Sequence, residues 1–143
     1  FNVMDYRGAT IIADYGHNPD AIRALVQAVD AMPGNKRSVV ISGAGDRRDQ
    51  DIIEQTRILG AAFDEVILYQ DACQRGRADG EVLALLRQGL EGAPRTRYST
   101  EIHGEFAAID HALERLAPGD LCLVLVDQVE EALAHLQQRI ASA

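Results

Sequence analysis

Apolar positions along the chain alternate between two periods. Short apolar runs read as strands at residues 1–4, 9–14, 38–42, 65–69, 96–99 and 121–126. Between them, apolar residues recur three and four positions apart, which is helical spacing. Ile22, Leu25, Val26 and Val29 set that pattern in a helix over 21–32, stopped by Pro33-Gly34. Further helices are expected over 50–63 and, with Asp79 as cap, over 80–90. Phe106, Ile109, Leu113 and Leu116 share one face of the next helix, and Val129, Leu133, Leu136 and Ile140 the inner side of the last. The run 121–126 has no charged residue, as a strand buried on both faces requires. Asp5-Tyr6-Arg7-Gly8 separates the first two runs and marks a hairpin. A hairpin followed by repeated strand–helix units predicts an α/β fold, with a mostly parallel sheet and helices on both faces.

Composition narrows the class. At 143 residues the chain suits one domain, 1–143, with a sizeable core. No apolar run approaches the roughly 20 residues of a membrane span, so no membrane partner is expected. Formal charge is −8, with 22 acidic against 14 basic residues. A duplex-binding surface needs the opposite balance to neutralise phosphates, so no nucleic-acid partner is expected either. Cys73 and Cys122 show no C-x-x-C spacing, and two reduced thiols fit a cytoplasmic protein. The chain opens on Phe1-Asn2-Val3-Met4, a strand already in progress, and reads as a fragment of a larger multidomain chain.

Candidate chemistry gathers where strands run into helices. Those connections are Asp14 to Asn18, Gly43 to Asp49, Asp71 to Asp79, Ser99 to His103, and Asp127 with Gln128. In a parallel sheet they fall on one edge, the edge at which ligands bind. The turns expected at the opposite edge are plainer: Pro33-Gly34-Asn35, Gly92-Ala93-Pro94 and Pro118-Gly119. Within Asp14-Tyr15-Gly16-His17-Asn18-Pro19, Asn18 suits an N-cap and Pro19 the first helical position. His17 either meets a ligand or supports that cap. Gly43-x-Gly45 either admits an anion to backbone amides or makes a tight turn, and Arg48 stands where a dinucleotide fingerprint has its third glycine. Asp46, Arg47, Arg48 and Asp49 form either a solvated run or a clamp for a phosphate or carboxylate. Asp71, Arg75, Arg77 and Asp79 either grip a zwitterionic amino acid or form a surface loop. No phosphate loop and no paired-histidine metal motif occurs, and no metal site is expected.

Three strings together carry a resemblance. Asp14-Tyr15-Gly16-His17-Asn18-Pro19, then Gly43-Ala44-Gly45-Asp46-Arg47, then the acidic loop after the next strand resemble the C-terminal domain of the Mur ligases. Within that superfamily, Ile41 through Arg48, Tyr69 through Arg77 and Leu125 through Glu130 are similar to the cyanophycin synthetases. The resemblance implies a Rossmann-like domain of the Mur ligase C-terminal type. It would act as a lid over a central ATPase domain that lies N-terminal in the parent chain. The parent is then an ATP-dependent amide ligase. ATP phosphorylates an aspartate side-chain carboxylate, and the amine of arginine attacks the acyl phosphate. Arginine and a poly-aspartate (cyanophycin) primer are the implied substrates. ATP and Mg2+ are the implied cofactors, held mainly by the central domain, and the parent is expected to be a homo-oligomer.

Carried over by position, Asp14, His17 and Asn18 would lie at the nucleotide. Gly45, Asp46 and Arg47 match the family's turn facing the active centre, and Asp71 and Arg75 occupy the loop that selects the amino acid. A guanidinium favours a planar carboxylate partner, for which Asp71 and Asp127 are the candidates. Asp127-Gln128-Val129 departs from the Gly-Lys-Gly-type turn common in Mur ligases, so roles attached to that turn do not transfer. The alternatives are a non-catalytic binding or scaffold module beside an inactive ligase half, or another Mur-type amino-acid ligase. The lid alone is expected to be inactive.

Overall fold

The computed structural model describes residues 2–15, 18–32, 34–42, 48–70 and 80–142. Eleven elements follow one another in these segments: β1 Asn2–Tyr6, β2 Ala9–Asp14, α1 Pro19–Asp30, β3 Arg37–Ile41, α2 Asp49–Gly60, β4 Glu65–Gln70, α3 Glu81–Gly89, β5 Tyr98–His103, α4 Glu105–Glu114, β6 Leu121–Leu125 and α5 Val129–Ala141. The strands form one six-stranded sheet in the order β1-β2-β6-β3-β4-β5. Among the described strands only β1 is antiparallel; the other neighbouring pairs are parallel.

The hairpin is tighter than the sequence suggested. Asp5 pairs with Thr10 and Tyr6 with Ala9, which leaves Arg7 and Gly8 as the turn. Both have positive φ, 52° and 86°, the pattern of a two-residue turn whose twist matches its strands. From β2 the chain steps outward through β3, β4 and β5, and α1, α2 and α3 cover one face. It then returns to place β6 between β2 and β3, and α4 and α5 cover the other face. Reversing direction while the crossovers keep one hand moves the helices to the opposite side.

Strand periodicity divides the core cleanly. Val39, Ile41, Leu121, Leu123 and Leu125 face α1–α3, while Val40, Cys122 and Val124 face α4 and α5. The central strand β6 is buried at every residue, as its apolar run required. Burial pushes the free Cys122 thiol up to about 11, which makes it a small core hydrophobe rather than a nucleophile. No described helix is long and apolar enough to cross a membrane.

Three expectations need correction. The strand placed at 96–99 runs from Tyr98 to His103, so Ser99 to His103 is strand and not loop. Thr96 and Arg97 instead tie back to the α2–β4 turn, through bonds to Phe63 O and Asp64 O. β5 is an edge strand whose side chains alternate between half-buried and exposed, and its Glu and His obscured the pattern. On α4, Ala108, Ile109, Ala112 and Leu113 are buried, whereas Phe106 is 39% exposed and stacks on His135. Small alanines let α4 sit close to the sheet and rotate Phe106 outward. At α3 the N-cap position is Gly80, with φ 81° and no side-chain cap; Asp79 lies outside the described residues.

The edge opposite the candidate loops is not plain. Arg115 forms a two-point bond with Glu65 at 3.0 Å and 3.0 Å, and lies 3.7 Å from the Tyr98 ring centroid. Lys36 sits between Glu65 and Asp120, at 3.5 Å and 3.6 Å. Burial pushes the Glu65 carboxyl up, but the bonds and charges of Arg115 and Lys36 outweigh it and hold it below its ordinary value. A depressed carboxylate adds stability above its unfolded pKa and loses it as pH falls through the folded one. The stability of this chain against urea is therefore expected to fall on acidification below about pH 4.5. Glu65→Gln should cost about 1 kcal/mol near neutrality and flatten part of that fall. An unchanged acid slope in the variant would exclude the assignment.

Candidate functional site

The sheet order creates a crevice at the C-terminal ends of β2, β6 and β3. The chain leaves β2 and β3 toward α1 and α2 on one face, and leaves the intervening β6 toward α5 on the other. Such a switch point is where open α/β sheets bind ligands. Of the residues assigned to the nucleotide or the substrates from sequence, Asp14, Asn18 and Asp127 are described, and all three stand at this edge. His17, Gly45, Asp46, Arg47, Asp71 and Arg75 lie outside the described residues.

Asp14 ends β2, and its carbonyl accepts the Val126 N–H at 2.8 Å, so the two neighbouring strands remain tied past their last pair. Its Oδ1 accepts the Tyr15 N–H at 2.7 Å, and the Tyr15 ring is 63% exposed beside it. Asn18 is the N-cap of α1: backbone φ −125°, ψ 159°, with Oδ1 accepting the Ala21 N–H at 2.8 Å and Pro19 opening the helix. The cap uses one lone pair of the Asn18 oxygen, which leaves the second lone pair and the NH2 group as the atoms a ligand would meet. Arg48 precedes α2 and forms a two-point bond with Asp51, 3.1 Å at each contact. An open groove of about 610 Å³ runs between the first turns of α1 and α2. Asn18, Asp20, Arg23, Gln50, Asp51 and Glu54 line it, with Arg23 bonded to Asp20 at 3.0 Å and to Glu54 at 3.4 Å.

Asp127 follows β6 and is half-buried. Its backbone is held by a residue that sequence reasoning passed over. Glu105, the first residue of α4, accepts the Asp127 N–H at 2.6 Å and the Gln128 N–H at 3.2 Å. The hydroxyl of Tyr69, at the end of β4, lies 3.2 Å from the same carboxylate and 2.8 Å from Leu125 O. Burial pushes the Glu105 carboxyl above its ordinary value, although the bonds from Asp127, Gln128 and Tyr69 oppose that. A glutamate opening a helix is ordinary, because the first turn favours negative charge. Nothing local distinguishes Glu105 from Glu81 or Glu130; only the tertiary contact does. His111 on α4 and His135 on α5 are half-buried and engaged with Tyr98 at 2.9 Å and Asp110 at 2.7 Å.

Chemically, the described edge presents the half-buried carboxylates of Asp14 and Asp127, an amide, an exposed aromatic ring and an arginine already paired with an acid. These are groups that orient polar ligands. Among the described residues no cluster of three or more His, Cys, Asp or Glu is placed to hold a metal ion.

Comparison with known proteins agrees with this architecture. Cyanophycin synthetases from Crocosphaera subtropica and Synechocystis sp. are 32% and 34% identical over 97% of this chain. The chain spans 16% of the length of each. E. coli FolC in complex with ADP shares the fold at a TM-score of 0.72 and 22% identity, over 99% of this chain and 31% of that one. The family model described as "Mur ligase, glutamate ligase domain" matches residues 1–126. With that match and the sheet order, the chain belongs to the Mur ligase C-terminal domain family.

Proposed function

We propose that this domain is the lid of an ATP-dependent amide ligase that adds arginine to aspartate side-chain carboxylates in cyanophycin synthesis. The observation that carries this reading is similarity to cyanophycin synthetases over 97% of the chain. ATP, held with Mg2+ mainly by a central domain elsewhere in the parent, supplies the phosphoryl group that activates the carboxylate. This chain's share is binding and enclosure. The Asp14 to Asn18 segment lies along the nucleotide, with His17 and Asn18 as contacts. The turns carrying Gly45, Asp46, Arg47, Asp71 and Arg75 meet the substrates. Asp127 offers a half-buried carboxylate to the guanidinium, whose planar donors suit it. Closure of such a lid excludes water, which would otherwise compete with the incoming amine.

The test is ATP-dependent arginine incorporation by the full-length parent on an aspartate-containing primer, with ADP release followed in parallel. Arginine-dependent turnover is expected, and His17→Ala and Asp71→Ala should each lower it by about tenfold or more, the scale of one lost charged contact. Folded parent protein that binds primer but releases no ADP with arginine would favour a non-catalytic scaffold. Turnover with a different amino acid would favour another Mur-type ligase.

A further inference from the structure

Four consecutive residues, from the last of β6 onward, have their main chain held from neighbouring elements. Leu125 O faces the Tyr69 hydroxyl at 2.8 Å, and the Val126 N–H donates to Asp14 O at 2.8 Å. The Asp127 and Gln128 N–H groups both donate to Glu105, one to each carboxylate oxygen. Gln128 stands at the N-cap of α5 without a side-chain cap bond, so Glu105 supplies, from another helix, the negative charge that a helix start favours. Glu105 is only 6% exposed and Tyr69 is fully buried. Burying a carboxylate costs stability that an apolar side chain of similar size would not. In return, Glu105 fixes the path of one turn, and that turn carries Asp127.

We infer that Glu105 is a positioning residue: its two bonds set the β6–α5 turn, and through it the Asp127 carboxylate, for the incoming amino acid at the switch point. The inference rests on the proposed ligase reading for the identity of that amino acid, and on geometry for the rest. Glu105 acts through the turn and does not touch substrate.

The deciding variant is Glu105→Gln in the full-length parent. It keeps size and one acceptor oxygen but turns an NH2 group toward the second backbone N–H, so one of the two bonds is lost. The KM for arginine is expected to rise about tenfold, the effect of one charge-assisted bond, with the KM for ATP rising far less. Hydrogen exchange at the Asp127 and Gln128 amides should speed up, while exchange in β3 and β4 stays as in the wild type. A purely structural role would lower the melting temperature and the active fraction without moving KM. An unchanged KM for arginine in folded Glu105→Gln overturns the inference. If Glu105→Ala fails to fold, Glu105→Gln and Tyr69→Phe carry the comparison, and unprotected Asp127 and Gln128 amides in the wild type overturn the inference on their own. A wild-type parent that turns over no arginine sinks the arginine reading, and exchange then decides on Glu105. Retained protection in the variant refutes the positioning role, and lost protection sustains it.

Discussion

Gly89→Ala is expected to destabilise this chain by about 3 kcal/mol, the upper part of the range for overpacking a tight contact. Gly89 closes α3 where that helix crosses α2, and it is buried. A Cβ there would stand 2.0 Å from Thr56 Oγ1 and 2.2 Å from Ile53 O. The carbonyl is α2 backbone and cannot turn aside. Thr56 is fixed too, since its hydroxyl lies 2.7 Å from Leu86 O. The two helices would have to separate and loosen Ile52, Leu59, Val82 and Leu86, which they bury between them and the sheet. The better helix propensity of alanine returns only about 1 kcal/mol. Urea unfolding of the variant measures the loss. Adding Thr56→Ala should recover little, because the Ile53 carbonyl remains; substantial recovery would place the obstruction at the hydroxyl instead.

Asp120→Ala is expected to cost about 3 kcal/mol as well, by a different route. Asp120 is 5% exposed, immediately before β6, at the edge opposite the candidate site. Its carboxylate accepts the Ala117 N–H at 2.9 Å and the Lys36 N–H at 3.2 Å, with the Lys36 ammonium 3.6 Å away. Its own carbonyl accepts the Thr10 N–H at 2.9 Å. One residue thus joins the starts of β2, β3 and β6. Alanine leaves two backbone donors without their acceptor, each costing about 1–3 kcal/mol where water cannot replace it. Asp120→Asn keeps one acceptor oxygen but turns an NH2 group toward the other backbone N–H, so it should lose about half as much, about 1.5 kcal/mol. A melting temperature for Asp120→Ala equal to that of Asp120→Asn would show that the acceptors are not what holds this corner.

Much of the architecture was legible because its signals are local. Pro19 after Asn18 marks a helix start whatever surrounds it, and the cap forms as read. The apolar run of β6 admits only a position buried on both faces, and it sits in the middle of the sheet. β5 was misplaced because an edge strand buries only half of each residue, so threonine, glutamate and histidine are tolerated and the alternation fades. Phe106 was assigned inward by its helical spacing from Ile109 and Leu113, yet Ala108 and Ala112 decide how α4 seats and leave the ring on His135. Of the candidate site, Asp14, Asn18 and Asp127 were found through their place at strand ends. Glu105 and Tyr69 were not, because the turn they hold is 20 or more residues away in sequence.

The sequence alone therefore determined the element types, the parallel class, the family resemblance and the edge on which the candidate residues gather. Each follows from periodicity, capping or a short motif, properties that a few adjacent residues carry. Only the tertiary structure decided the order in which the strands lie side by side. It also decided that Glu105 reaches the turn bearing Asp127, and that Asp120, Lys36, Glu65 and Arg115 share one corner. Those relations pair side chains far apart in the chain, and their energies exist only once the sheet has brought them within hydrogen-bond reach.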